Sequence, residues 1–178
     1  MSGPALHGGR EHAFAGVLDG LYLACIWTAG LAIAAMSIII PVGVFMRYVI
    51  GFGAQWPEPI AILLMVVFTF IGAAAGYRAG GHIAVTLLVE RLPAPLQGVL
   101  HRVVDLLLIV VCGFVLWYGT RLCLETMGQS IAELPWLPVG VTYAAIPLGS
   151  LATLLFVFEH LLFGPQSARA VVAFGEAG

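Results

Sequence analysis

Lysine is missing from this sequence. All of its 7 basic residues are arginine, and charged residues of both signs make up only 9% of the 178 positions. A soluble globular domain carries about a quarter. With 61% hydrophobic residues, the chain has more apolar surface than an aqueous fold can hide. No basic run and no interleaving of aromatic with basic residues occurs, and the formal net charge is −2, which excludes nucleic acid as a partner. Cysteine is sparse as well. Cys25, Cys112 and Cys123 show no CxxC or Cys/His spacing, so they imply neither a disulfide framework nor a metal site. The first two lie within apolar runs, where cysteine behaves as a small buried hydrophobe.

What the chain has instead is long apolar runs. A helix needs about 20 residues to cross the roughly 30 Å hydrocarbon layer, and four runs meet that length. The first, 20–46, carries no charge; at 1.5 Å per residue it reaches roughly 40 Å, so it tilts or extends past the hydrocarbon. It is too long for a cleaved signal peptide and reads as an uncleaved anchor. Arg47, Tyr48 and the glycine-rich turn Gly51-Phe52-Gly53 close it. Trp56-Pro57-Glu58-Pro59 opens the second span, 57–77, with proline in the first helical turn. The third runs over 99–124 and the fourth over 139–162, with Pro147 inside it. Between spans two and three, residues 82–92 place Ile83, Leu87 and Leu88 opposite Thr86, Glu90 and Arg91, the pattern of a short amphipathic helix lying in the membrane interface. The expected fold is thus an all-α membrane protein: four transmembrane helices plus that interfacial helix, flanked by an N-terminal segment, 1–19, and a tail, 164–178.

Orientation follows from arginine, which cytoplasmic segments near span ends hold in excess. The N-terminal segment, the middle connection and the tail contain Arg10, Arg78, Arg91, Arg102 and Arg169, whereas the other two connections contain Arg47 and Arg121. Both termini are therefore expected in the cytoplasm of a bacterial cell, and the protein in its inner membrane. Cys123 is then expected to be reachable from outside, with Cys25 and Cys112 shielded.

Ionisable groups at membrane depth mark ion paths and substrate sites, and the run interiors contain none. Asp19, Arg47, Glu58, Arg78, Arg102, Asp105, Arg121 and Glu159 sit at span ends, where snorkelling is expected to keep them wet. That argues against a self-sufficient ion-coupled carrier and against an enzyme, and no residue is assigned a catalytic, cofactor-binding or metal role. The five histidines raise the alternative of a haem-bearing or other membrane anchor subunit of an electron-transfer complex. Yet His7, His12, His82, His101 and His160 lie in tails, connections or span ends. Gly72 and Gly76 form a small-xxx-small face in span two that lets another helix approach closely; packing within the chain is the plainer reading, packing on a partner the other. Arg47 and Glu58 flank the first turn and are candidates to pair.

At Arg47-Tyr48-Val49-Ile50-Gly51, Trp56-Pro57-Glu58, Phe70-Ile71-Gly72-Ala73-Ala74 and Gly81-His82-Ile83-Ala84-Val85, order and spacing resemble the small membrane subunit, the DctQ-type Q subunit, of tripartite ATP-independent periplasmic (TRAP) transporters. The similarity covers about residues 20–163, including Leu92-Pro93 and Tyr143-Ala144-Ala145-Ile146-Pro147-Leu148-Gly149. It departs at Pro59, where family members often have a second acid, and at Thr86, where they have an aspartate. The resemblance implies a subunit of a secondary transporter that imports an organic acid on an ion gradient, fed by a periplasmic substrate-binding protein, with the large permease (M) subunit holding the substrate and ion sites. This chain then scaffolds that subunit within the lipid bilayer. The residues expected to shape the chain or touch the partner are Arg47, Trp56, Glu58, Gly72, Gly76, His82, Pro147 and Gly149.

Overall fold

The computed structural model describes residues 8–51, 53, 55–80 and 94–163, with side chains from Gly16 onward except at 94–96, 101 and 163. The interfacial helix expected over 82–92 and the tail 164–178 lie outside the described residues. Three long helices come first: α1 (Gly8–Tyr48), α2 (Pro57–Arg78) and α3 (Ala94–Thr126). A two-stranded antiparallel hairpin follows, β1 (Ser130–Ile131) and β2 (Leu134–Pro138), and then α4 (Val139–Tyr143) and α5 (Ala145–Phe163). Four helical stretches, with α4 and α5 counted as one, are long and apolar enough to cross a membrane. In hydrocarbon every backbone polar group must find its partner inside the segment, and a helix achieves this unaided. That is why uninterrupted apolar runs become helices here.

Two elements differ from the sequence expectation. α1 begins at Gly8, well ahead of its apolar run, so the mixed residues before Gly20 continue the same helix. The proline-marked turn at Leu134–Pro138 forms a strand of the hairpin. Pro135 and Pro138 fit there because proline is admitted where no neighbour needs its missing N–H, as in a strand at a sheet edge. The fourth span is interrupted at Ala144. Pro147 has no N–H to give the Tyr143 carbonyl, and its ring crowds that carbonyl; α4 ends and α5 starts at this point.

The helices do not close into a bundle. α1 packs on α2, α2 on α5, and α5 on α3, which gives a row in the order α1–α2–α5–α3, with no more than glancing contact between α1 and α3. Most of the spanning surface is exposed: 11% or less of the α1, α2 and α3 spans is buried, against 33% for the α4–α5 span in the middle. One core cluster is dense, formed by Leu18, Cys25, Ala74, Ala75, Ala152 and Phe156, with Tyr22 and Tyr77 against it. It sits at the side where α1 and α3 begin and α2 and α5 end, called here the termini side. The α1–α2 turn and the β-hairpin mark the opposite, hairpin side.

Candidate functional site: an ionic clasp across four helices

The last turn of α2 carries two polar residues in succession, Tyr77 and Arg78, and the end of α5 carries another two, Glu159 and His160. Consecutive helical residues point about 100° apart, so each pair reaches to both sides of the α2–α5 seam. On the α1 side, Arg78 donates from Nε and from an Nη to the two carboxylate oxygens of Glu159, both at 2.7 Å, and from the same Nη to Asp19 of α1. This fork on a carboxylate is the strongest form of side-chain hydrogen bonding available to arginine. The side chains of Arg78 and Glu159 are 4% and 3% exposed, and that of Asp19 is 30% exposed. Tyr22 and Phe156 bracket the guanidinium, whose carbon lies 5.1 and 5.4 Å from their ring centroids, near enough for attraction to the ring faces.

On the α3 side, the Tyr77 hydroxyl donates to Asp105 at 2.9 Å, and His160 Nδ1 lies 3.2 Å from the other oxygen of the same carboxylate. Asp105 is buried. Taken together, Asp19, Tyr77, Arg78, Asp105, Glu159 and His160 bring all four spanning helices together at one level. Among the described residues, no buried side-chain nitrogen or oxygen lacks a partner. A buried ion pair gains little net stability over an apolar substitute, because desolvation offsets the attraction, but removing one partner is costly. The arrangement therefore acts on geometry. It fixes which helix lies beside which, and at what height.

The expectation that charges at span ends are kept wet holds at Arg47, Glu58 and Arg121, which are well exposed, and is corrected at three others. Arg78, Asp105 and Glu159 are buried against one another. The sequence holds a trace of the clasp, since Asp19, Arg78, Asp105 and Glu159 all fall on the same side once four spans are drawn. Charge type and depth were legible; the helix order that brings them together was not.

The residues singled out from the sequence are scattered over the row. Arg47 and Glu58 approach to 3.5 Å on the hairpin side, with side chains 51% and 71% exposed. Trp56 stands at the start of α2 without a side-chain capping bond. Gly72 faces Ala29 of α1, while Gly76 has open space beside it, so among the described residues only the first of the two serves packing within the chain. Gly149 is where α5 presses on α2: a β-carbon there would stand 2.6 Å from the Phe70 carbonyl oxygen. Pro147 packs beside Gly119 of α3. His82 lies outside the described residues. Cys123 is buried, at 8% exposure, so the expected access from outside does not hold for its thiol. No group of three or more histidine, cysteine, aspartate or glutamate residues that could hold a metal ion occurs among the described residues.

Row and clasp together define a class: a multi-pass integral membrane protein whose buried charges, among the described residues, join its own helices. Residues 36–164 match the family described as tripartite ATP-independent periplasmic transporters, DctQ component, and the chain belongs to that family. It is 28% identical over 130 residues to a TRAP transporter small permease protein of Haemophilus influenzae, covering 73% of this chain and 80% of that one. It is 30% identical over 119 residues to the C4-dicarboxylate TRAP transporter small permease protein DctQ of Rhodobacter capsulatus, covering 64% of this chain and half of that one. The chain is thus a small permease component of a transporter in the inner membrane, and not an enzyme.

Proposed function

We propose that this chain is the stationary partner of a large permease subunit, and that the pair takes up an organic acid handed over by a periplasmic binding protein, driven by an ion gradient. The observation that carries the reading is the division of polar from apolar surface. From Gly20 to Met46, Pro59 to Tyr77, Leu106 to Thr120 and Val139 to Phe158 there is no Asp, Glu, Arg or His, so the chain offers no mid-membrane group for a substrate or ion. Meanwhile the clasp holds the row together, and large side chains such as Trp27, Leu31, Phe114 and Trp117 remain exposed. Lipid gives apolar surfaces no hydrophobic reason to meet, so close packing must select the partner; a row with two uncovered faces offers the area for it. Such a subunit is a rigid frame against which the permease's transport domain moves, with both termini in the cytoplasm.

Proteoliposomes test this directly. Vesicles holding this chain and its permease, given the binding protein and a sodium gradient, should accumulate solute, while those lacking either membrane chain should not. Gradient-driven uptake by this chain alone would overturn the reading.

A further inference from the structure

The hairpin side holds a second feature, separate from the clasp. A cavity of about 370 Å³ runs between α1 and α2, with Met36, Ile40 and Val44 on one wall and Ala61, Ile62 and Met65 on the other. It ends at Arg47 and Glu58. From Arg47 back to Met36 is about 16 Å along α1 at 1.5 Å per residue, and half of a roughly 30 Å hydrocarbon layer is about 15 Å. The apolar groove is therefore one leaflet deep. That depth matches the length of a single acyl chain.

Charge at the mouth narrows the occupant further. Arg47 and Glu58 are 3.5 Å apart and both well exposed, and a pair so exposed holds little by itself. A second cavity of about 560 Å³ shares Arg47, Glu58 and Ile62 with the first and adds the polar groups of Gln55, Glu133 and Thr142. Its remaining wall is apolar, with Leu63, Val66 and Ile131, so one cation and two carboxylates stand at the mouth of two adjoining, largely apolar slots. We propose that this is a binding site for a single zwitterionic phospholipid with a primary-amine headgroup, phosphatidylethanolamine. One acyl chain lies between α1 and α2, the phosphate rests on Arg47, and the ammonium on Glu58 and Glu133. An ammonium donates three hydrogen bonds, whereas the quaternary amine of a choline headgroup has no N–H to donate. An anionic glycerol headgroup brings no cation to the two acids.

The test uses the purified full-length chain, delipidated in detergent and titrated in native mass spectrometry with phosphatidylethanolamine, phosphatidylcholine and phosphatidylglycerol of matched acyl chains. One phosphatidylethanolamine should be retained per chain, at least tenfold more tightly than either other lipid. Ala61→Phe fills the slot and should weaken retention about tenfold at unchanged helix content by circular dichroism. Glu58→Gln combined with Glu133→Gln, at two exposed positions, should erase the preference for the amine headgroup even if the Ala61 variant does not fold. Equal retention of the three lipids by the wild-type chain overturns the proposal. So does an Ala61→Phe variant that folds, keeps its lipid and loses either a self-dimer or co-purification with the permease, since the groove would then belong to a protein.

Discussion

Arg78 is the side chain on which most of its neighbours depend. Truncating it in Arg78→Ala leaves the buried Glu159 carboxylate without a counter-charge, and breaking a buried pair in this way costs about 3–5 kcal/mol. A fall in melting temperature in detergent and lower membrane yield should result. Arg78→Lys should recover only part of the loss, because an ammonium keeps the charge but cannot fork across both oxygens. The other ion pair behaves differently. Arg47 and Glu58 are mostly exposed, so reversing either charge should cost no more than about 1 kcal/mol, and reversing both should return that small amount. A double reversal that gains nothing would show two independently solvated charges. In the sequence the two pairs look alike, each a charge near a span end; burial separates them, and burial depends on which helices are neighbours.

At the scale of elements, hydrophobic length decided nearly everything that was legible. Spans one to four are present because lipid leaves an apolar run no other way to satisfy its backbone. The hairpin was not legible, since Ser130–Ile131 and Leu134–Pro138 are short and the second contains two prolines. Nor was the packing order: α2 and α5 are neighbours at the centre, although they are distant in sequence, and α1 and α3 differ from them in no obvious way. One signal did exist in Gly149. Because a β-carbon there would run into the Phe70 carbonyl, Gly149→Val should push α5 off α2 at a cost of about 1–3 kcal/mol, visible as a lower melting temperature. Gly76→Ala meets open space and should leave stability nearly unchanged; equal effects at the two glycines would contradict the packing described.

For the whole molecule, orientation can be tested without Cys123, whose thiol is buried. With the three native cysteines removed, Gly128→Cys places a thiol at an exposed position on the hairpin side, and an impermeant reagent should label it in intact cells. Labelling that needs the inner face opened would reverse the assignment of sides. The reach of the clasp along the chain has a further consequence, for the order of events at the ribosome. Asp19 precedes Arg78 by 59 residues, but Glu159 follows it by 81. At about 5–20 residues per second, Arg78 waits about 4–16 s for Glu159 to be made. Until then Asp19 is the one of Arg78's two carboxylate partners already synthesised, while Asp105, which bonds Tyr77, is made partway through the interval. Asp19, the more exposed of the two acids in the finished protein, thus escorts the arginine during synthesis. A chain stalled before its last helix holds Arg78 with Asp19 but lacks the Glu159 carboxylate that forks across the guanidinium.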